Sequence, residues 1–272
     1  MEAGVTTSIR VAAALLLVVF GMVPDAAGAF DHGRWDELLR RHVIELRGGH
    51  ATQIDYAGMN RDRGALQEYL SATSAVSRPD FDRWPAPEQL AFLINAYNAW
   101  TVELILRGDP AIASIRDLGS LLRSPWKKRF IPLLGEIRSL DDIEHGLIRG
   151  SGRYREPRIH FAVNCASIGC PALRREAYIG ARLEEQLEDA TRRFIGDGTR
   201  NRASNSSVEI SSIFKWYRGD FEAGWRGARS LGEFLALYGA ELGLDEAGRR
   251  RLAAGELRVS FLGYDWRLNR VP

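Results

Sequence analysis

Trp35, Leu38, Leu39, His42, Val43 and Leu46 recur at the three- and four-residue spacing of an amphipathic helix, and Gly48-Gly49 supplies its end. Ile54-Asp55-Tyr56 reads as a short strand and Leu66 to Leu70 as a second helix, after which Pro79, Pro85 and Pro87 punctuate the chain. From Glu88 to Arg107 apolar residues fall on nearly every side, which predicts a buried helix. Its Asn95 and Asn98 are three apart and share a face. A buried amide without partners costs on the order of 1 to 3 kcal/mol, so each must bond either loop backbone or the polar part of a pocket.

Pro110 to Leu118 predicts a short helix, and Phe130 to Leu140 a hairpin turning at Leu134-Gly135-Glu136. Ser139 with Asp142 three later fits a capping box, so a helix starts there, and its Asp141 and His145 are spaced to bring a carboxylate against an imidazole. Ile159, Phe161 and Val163 alternate with His160, Ala162 and Asn164, the period of a strand with His160 on its polar face. Leu183, Leu187, Ala190 and Phe194 form another helical stripe, followed by a Gly-, Asn- and Ser-rich loop at 196–207. Val208 to Phe214 and Leu257 to Leu262 read as strands, with helices near 230–240 and 244–254 between them. The class predicted is α+β, with a mixed or antiparallel sheet of roughly four or five strands surrounded by helices.

The N-terminus changes the setting. Arg10, the apolar run Val11 to Phe20 and Ala27-Gly28-Ala29 follow the order of a secretory signal peptide, predicting cleavage after Ala29 and a single globular domain over 30–272, periplasmic or secreted. The run is about half the roughly 20 residues that span a bilayer, so no membrane span is expected after its removal. Formal net charge is +2, and about +3 once Glu2, Asp25 and Arg10 are gone, with both signs dispersed. That excludes an obligate nucleic-acid binder and leaves a small molecule or peptide as the expected partner.

The chain contains no Gly-x-Ser-x-Gly elbow, His-Glu-x-x-His helix, Walker loop or dinucleotide fingerprint. Its two cysteines, Cys165 and Cys170, admit three readings: a short-loop disulfide, a reactive thiol, or metal ligation with His145 and His160. Export weighs against zinc, because paired thiolates are hard to keep reduced there, and no cofactor is expected. All five histidines precede Cys165; His160 and His145 are the candidate bases, with Asp141 or an Asn as orienter. Backbone N–H groups of the Ala166 to Gly169 loop would stabilise a thiolate or form an oxyanion hole. Ser167 shapes that loop or stands as a weaker nucleophile, and Glu144 points about 100° away from His145 on an α-helix. Trp216, Tyr217, Tyr264 and Trp266 lie in strings that mix aromatics with charge, either as core and rim or as a ligand groove.

Taken together, Leu93-Ile-Asn-Ala-Tyr-Asn-Ala-Trp100, Ser139-Leu-Asp-Asp-Ile-Glu-His145, Arg158 to Pro171, Lys215-Trp-Tyr217 and Tyr264-Asp-Trp266 resemble the domain of unknown function 547 family, in order from about Gln53 to Asn269. The shared strings fall on Asn95, Asn98, Glu144, His145, His160, Cys165 and Cys170. The resemblance implies exported bacterial proteins and C-terminal modules in plant and animal proteins, with no assigned activity. The outline also looks similar to papain-like or transglutaminase-like folds with Cys and His in permuted order. The expectation is a thiol-dependent acyl or amide hydrolase or transferase using Cys165 with His160 or His145. The alternative is a non-catalytic cell-envelope binding or assembly module with a structural Cys165–Cys170 disulfide.

Overall fold

In the computed structural model, which describes Met1, residues 30–120 and residues 123–272, the expected signal peptide lies outside the described residues apart from Met1. Helix α1 (Gly33–His42) buries Trp35, Leu38, Leu39 and His42, but it stops well before the glycines. At the β-branched pair Val43-Ile44 the chain becomes extended as β1 (Val43–Leu46), which pairs antiparallel with β2 (Ala51–Ile54). Gly48 and Gly49, at φ 64 and 88, form the turn between them. The expected strand at 54–56 therefore ends at Ile54, and Asp55 caps α2 (Tyr56–Arg61) by accepting the Gly58 N–H.

Helices α3 (Arg63–Ala75) and α4 (Arg78–Arg83) precede α5 (Ala86–Leu106). Pro79 and Pro87 sit in first turns and Pro85 at the N-cap of α5, where a missing N–H costs nothing. Every residue of α5 from Gln89 to Ile105 is buried, as the all-round apolar pattern requires. The expected helix at 110–118 is reduced to a 3-10 turn, Ile115–Leu118. Strands β3 (Ile131–Leu133) and β4 (Glu136–Arg138) form the expected hairpin, with Leu134 and Gly135 at positive φ as the two-residue turn.

The capping box is present, Ser139 and Asp142 each accepting the other's N–H at 2.9–3.0 Å. The helix it opens becomes a π-helix, Asp142–Arg149, in which the Gly150 N–H reaches back five residues to the His145 carbonyl. Residues 159–164 do not form a strand. Pro157–Phe161 is a 3-10 helix, started by a proline and clamped by Arg158, whose buried guanidinium meets Glu156, Glu184 and Glu188.

Helix α6 (Leu183–Ile195) carries the expected stripe. Then come β5 (Arg202–Ala203), β6 (Ser207–Ser211), α7 (Ser212–Trp216), α8 (Arg218–Phe221), α9 (Leu231–Leu237), α10 (Glu246–Ala253) and β7 (Arg258–Leu262). The strand expected to reach Phe214 ends at Ser211 because that side chain caps α7. The α+β class holds, but the strands form no single sheet of four or five: β1–β2, β3–β4 and β5–β6–β7 are separate, with β6 and β7 parallel. Among the described residues no helix is long and apolar enough to cross a membrane.

Two apolar cores result. One surrounds α5; the other gathers Phe161, Phe194, Phe214, Phe221 and Phe234. The 3-10 helix spans the seam, sending Ile159 into the first core and Phe161 into the second. Its register comes from α5: the Asn98 carboxamide donates to the Ala162 carbonyl (3.0 Å) and accepts the Asn164 N–H (2.8 Å). Asn95 makes the same pair of bonds to Tyr178.

Replacing Asn98 by Ala leaves two buried backbone groups unpaired, and the expected cost is about 1–3 kcal/mol in urea denaturation. An unchanged midpoint and slope would show that the carboxamide does not carry this load.

Candidate functional site

Cys165 and Cys170 are joined as a disulfide, their Cα atoms 6.2 Å apart. The loop between them is held from both sides. Asn164 accepts the Ala166 N–H and donates to the Pro171 carbonyl, both at 2.8 Å, which carries Ala166 through a left-handed conformation at φ 61. On the other side the C-terminal tail accepts the Ile168 N–H at Arg267 and the Gly169 N–H at Asp265, and donates the Asn269 N–H to Ala166. Three of the four loop N–H groups expected to serve an oxyanion are therefore already committed. Ser167 is buried inside the loop and shapes it. Gly169 has no room for a Cβ, which would meet the Tyr264 ring at 2.9 Å. That closeness brings the Tyr264 hydroxyl to 3.1 Å from both sulfurs.

Above the disulfide opens a cleft of about 210 Å³. The π-helix supplies Asp141's neighbours Glu144 and His145 on one side, with Asp141 itself in the preceding turn. Trp216 and Tyr217 come from the end of α7, Tyr264 and Trp266 from the tail, Tyr97 from α5, and Trp126 completes the aromatic wall. Tyr264, Trp266 and Trp216 pack with ring centroids 4.5–5.6 Å apart, and Trp126 meets Trp266 edge-on at 5.8 Å. Wider grooves exist elsewhere; in that of about 360 Å³, Arg174 pairs with Glu176 and Asp189, and Arg193 with Asp189.

His160 lines the cleft from the 3-10 helix and is fully enclosed, stacked on Tyr217 at 3.8 Å. Its Nε2 bonds Asp220 at 2.7 Å, while its buried Nδ1 has no partner among the described residues. Burial holds the imidazole below its ordinary pKa, against the raising effect of the Asp220 bond. Burial also opposes ionisation of Asp220, but the bonds from His160 and from Arg149 (2.6 and 3.0 Å) overcome it and hold that carboxyl well below its usual range. A neutral imidazole beside a carboxylate fixes the Nε2–H tautomer and leaves a lone pair on Nδ1.

The pairing expected on the opposite wall is looser. His145 Nε2 lies 4.0 Å from Asp141, beyond hydrogen-bonding distance, and its Nδ1 takes a bond from Arg149 at 2.9 Å. Glu144 departs from its expected direction and lines the cleft with His145, both falling on the face of Asp141 at three and four residues' distance. It is 5% exposed, and its Oε1 has no hydrogen-bond partner among the described residues. Burial, with Glu144 adding to it, raises the Asp141 carboxyl above its ordinary pKa, while His145 and Lys127 oppose the shift.

The structure thus brings Cys165, Cys170, His160, His145, Asp141, Glu144, Trp216 and Tyr217 to one cleft. Asn95, Asn98 and Ser167 lie outside it and secure backbone. The remaining histidines are engaged elsewhere: His32 with Tyr69, His42 with Asp62, His50 with the Arg193 carbonyl. The disulfide takes both sulfurs of the conjectured zinc site, and among the described residues no group of three or more His, Cys, Asp or Glu is placed to hold a metal. Asp220 and Arg149 were not legible as site residues, since 60 residues separate Asp220 from His160 in the chain. The one signal was Asp220's place in the aromatic string Phe214 to Phe221.

No curated protein and no solved structure matches the chain. Residues 81–195, a shorter span than the motif strings cover, match the model of the family described as protein of unknown function, DUF547. That stretch, which matches the DUF547 family, includes α5, the π-helix, His160 and the disulfide loop.

Proposed function

We propose that the cleft is the site of a thiol-dependent acyl or amide hydrolase or transferase that acts in an exported protein once a dithiol reductant opens the Cys165–Cys170 bond. The observation that carries this reading is His160: a buried imidazole, oriented by Asp220 through Nε2, with an unpartnered Nδ1 in the same cleft as Cys165. Cys165 is the attacking sulfur, being partly exposed where Cys170 is buried. Nδ1 takes the thiol proton, and Asp220 stabilises the imidazolium that forms. Loop amides are largely committed, so the donor nearest the sulfur is the Tyr264 hydroxyl, which burial keeps protonated by raising its pKa.

A second reading is favoured by the disulfide itself: a non-catalytic binding or assembly module of the cell envelope, in which the bridge fixes the loop beneath the aromatic wall. The two readings differ in what reduction does. If the bridge is structural, reducing it weakens the fold, by about 2 kcal/mol or more, and exposes no distinctively reactive thiol.

Mass-mapped alkylation by iodoacetamide after mild reduction separates them. The expected outcome is a folded chain in which Cys165 reacts about tenfold faster than Cys170, with that advantage lost in His160→Gln. Equal reactivity of the two thiols, or no loss in the variant, removes the catalytic reading.

The pH profile gives a further check. Because the folded pKa of His160 is depressed below 6.5, its Nδ1 remains a proton acceptor as the pH falls past 6.5. Cys165 alkylation in the wild type is expected to keep its advantage over His160→Gln at that pH and to lose it only as pH drops through the lower folded value. An advantage that rises from pH 6.5 upward, as for an unperturbed imidazole, would show that burial does not set this base.

A further inference from the structure

The cleft has a lopsided charge. In a chain with 37 Lys and Arg residues, the described residues that line it include two carboxyl groups, Asp141 and Glu144, and not one Lys or Arg. Its nearest cations are otherwise placed. Arg149 is bound to Asp220 and lies against the Tyr217 ring at 5.0 Å, Arg116 lies against the Trp266 ring at 5.3 Å from outside the lining, and Lys127 stands near Asp141 without lining the cleft. His160 is held neutral by its burial. Six of the other lining side chains are Trp or Tyr, and aromatic faces attract cations by their quadrupole.

Glu144 gives the cleft a specific demand. Its Oε1 is buried without a donor at bonding distance: His145 Nδ1 is 4.0 Å away and already taken by Arg149, while the Tyr97 and Tyr217 hydroxyls stand beside the carboxylate without closing on that oxygen. An acceptor in that state is costly until an N–H or O–H reaches it. Asp141 beside it is pushed upward by burial and by the Glu144 charge, a strain that a bound positive charge relieves.

We infer that this cleft recognises a primary or secondary organic ammonium group, held by Asp141 and Glu144 against the aromatic wall of Trp126, Tyr264 and Trp266. The ammonium supplies both the N–H donor that Glu144 Oε1 lacks and the positive charge that the lining lacks. A neutral hydroxyl of the same shape supplies only the donor, and a quaternary ammonium only the charge. The cleft's volume, about 210 Å³, sets the size: one aminoalkyl or aminoaryl group rather than a folded partner. This inference rests on reading the cleft as the functional site, and it names the substrate or ligand class that the site takes.

The test is tryptophan fluorescence titration of the oxidised full chain near neutral pH with benzylamine, which is protonated there, and with benzyl alcohol. Benzylamine is expected to saturate with a Kd about tenfold below that of benzyl alcohol or lower. Glu144→Gln is expected to bring the amine to the level of the alcohol while leaving the alcohol's affinity in place; Asp141→Asn, on the preceding turn, is expected to move it in the same direction should the first variant fold poorly. Benzyl alcohol binding as tightly as the amine overturns the inference, and so does the absence of saturation by the amine in the millimolar range. The oxidised protein has no free thiol, so this outcome is independent of the alkylation result. Amine preference with an unreactive Cys165 removes the catalytic reading alone, and a reactive Cys165 without amine preference removes this one alone.

Discussion

Asn98 sits near the middle of a helix that has no exposed face, so its carboxamide must find both a donor and an acceptor inside the protein. It finds them at the Ala162 carbonyl and the Asn164 N–H, and the segment between those two groups is thereby fixed against α5. Asn164 repeats the device one step out, bonding Ala166 and Pro171 to set the disulfide loop. Asn269 then reaches Asn164 from the tail and is itself bonded by Tyr56. A relay of buried amides therefore runs from the most apolar helix to the floor of the cleft. Each link is worth only about 1 kcal/mol net, but breaking one strands polar groups that no water can reach.

The relay explains how a site can exist at the junction of two cores without softening it. Positions 157–163 must bury apolar residues in both directions, which an extended strand also permits, yet Arg158 requires its three carboxylates and Asn98 requires its two backbone partners within the same few residues. A tight 3-10 turn satisfies all of these at once. It also places His160 between Tyr217 and Phe221, where solvent cannot compete for the imidazole and Asp220 can. The electrostatic character of the cleft follows from packing: cations are drawn to Asp220 and to the surface carboxylates, and the two acids of the opposite wall are left facing aromatic rings.

This division also accounts for what could be read from the chain alone. Helix α5, the 131–138 hairpin, the Ser139 capping box and the stripe of α6 were legible because their signals are local, within a turn or two of the residues concerned. The cysteine, histidine and aromatic strings pointed to the cleft for a related reason, being unusual combinations in short windows. What failed required distant partners. Alternation at 159–164 fits a strand and is overridden by Arg158 and Asn98, and α1 gives way to β1 because β2 is available to pair with it. Asp220 had no local mark beyond its place in the Phe214 to Phe221 string, since its role arises only when α8 packs beside the 3-10 helix.

The committed loop amides place a constraint on any chemistry at Cys165. In a thiol enzyme whose nucleophile heads a free turn, backbone N–H groups receive the developing oxyanion. Here those of Ala166, Ile168 and Gly169 hold the loop to Asn164 and to the tail, and taking them for an oxyanion would release the very contacts that present the sulfur. The loop is thus held rigid at the expense of its donors, and charge stabilisation falls to the Ser167 N–H and to side chains across the cleft. Tyr264 is the one already at the sulfurs, and it is fixed there by Gly169, whose missing side chain admits the ring. Gly169 and Tyr264 therefore act as one unit: a methyl group at 169 would press on the Tyr264 ring and displace its hydroxyl from the sulfurs.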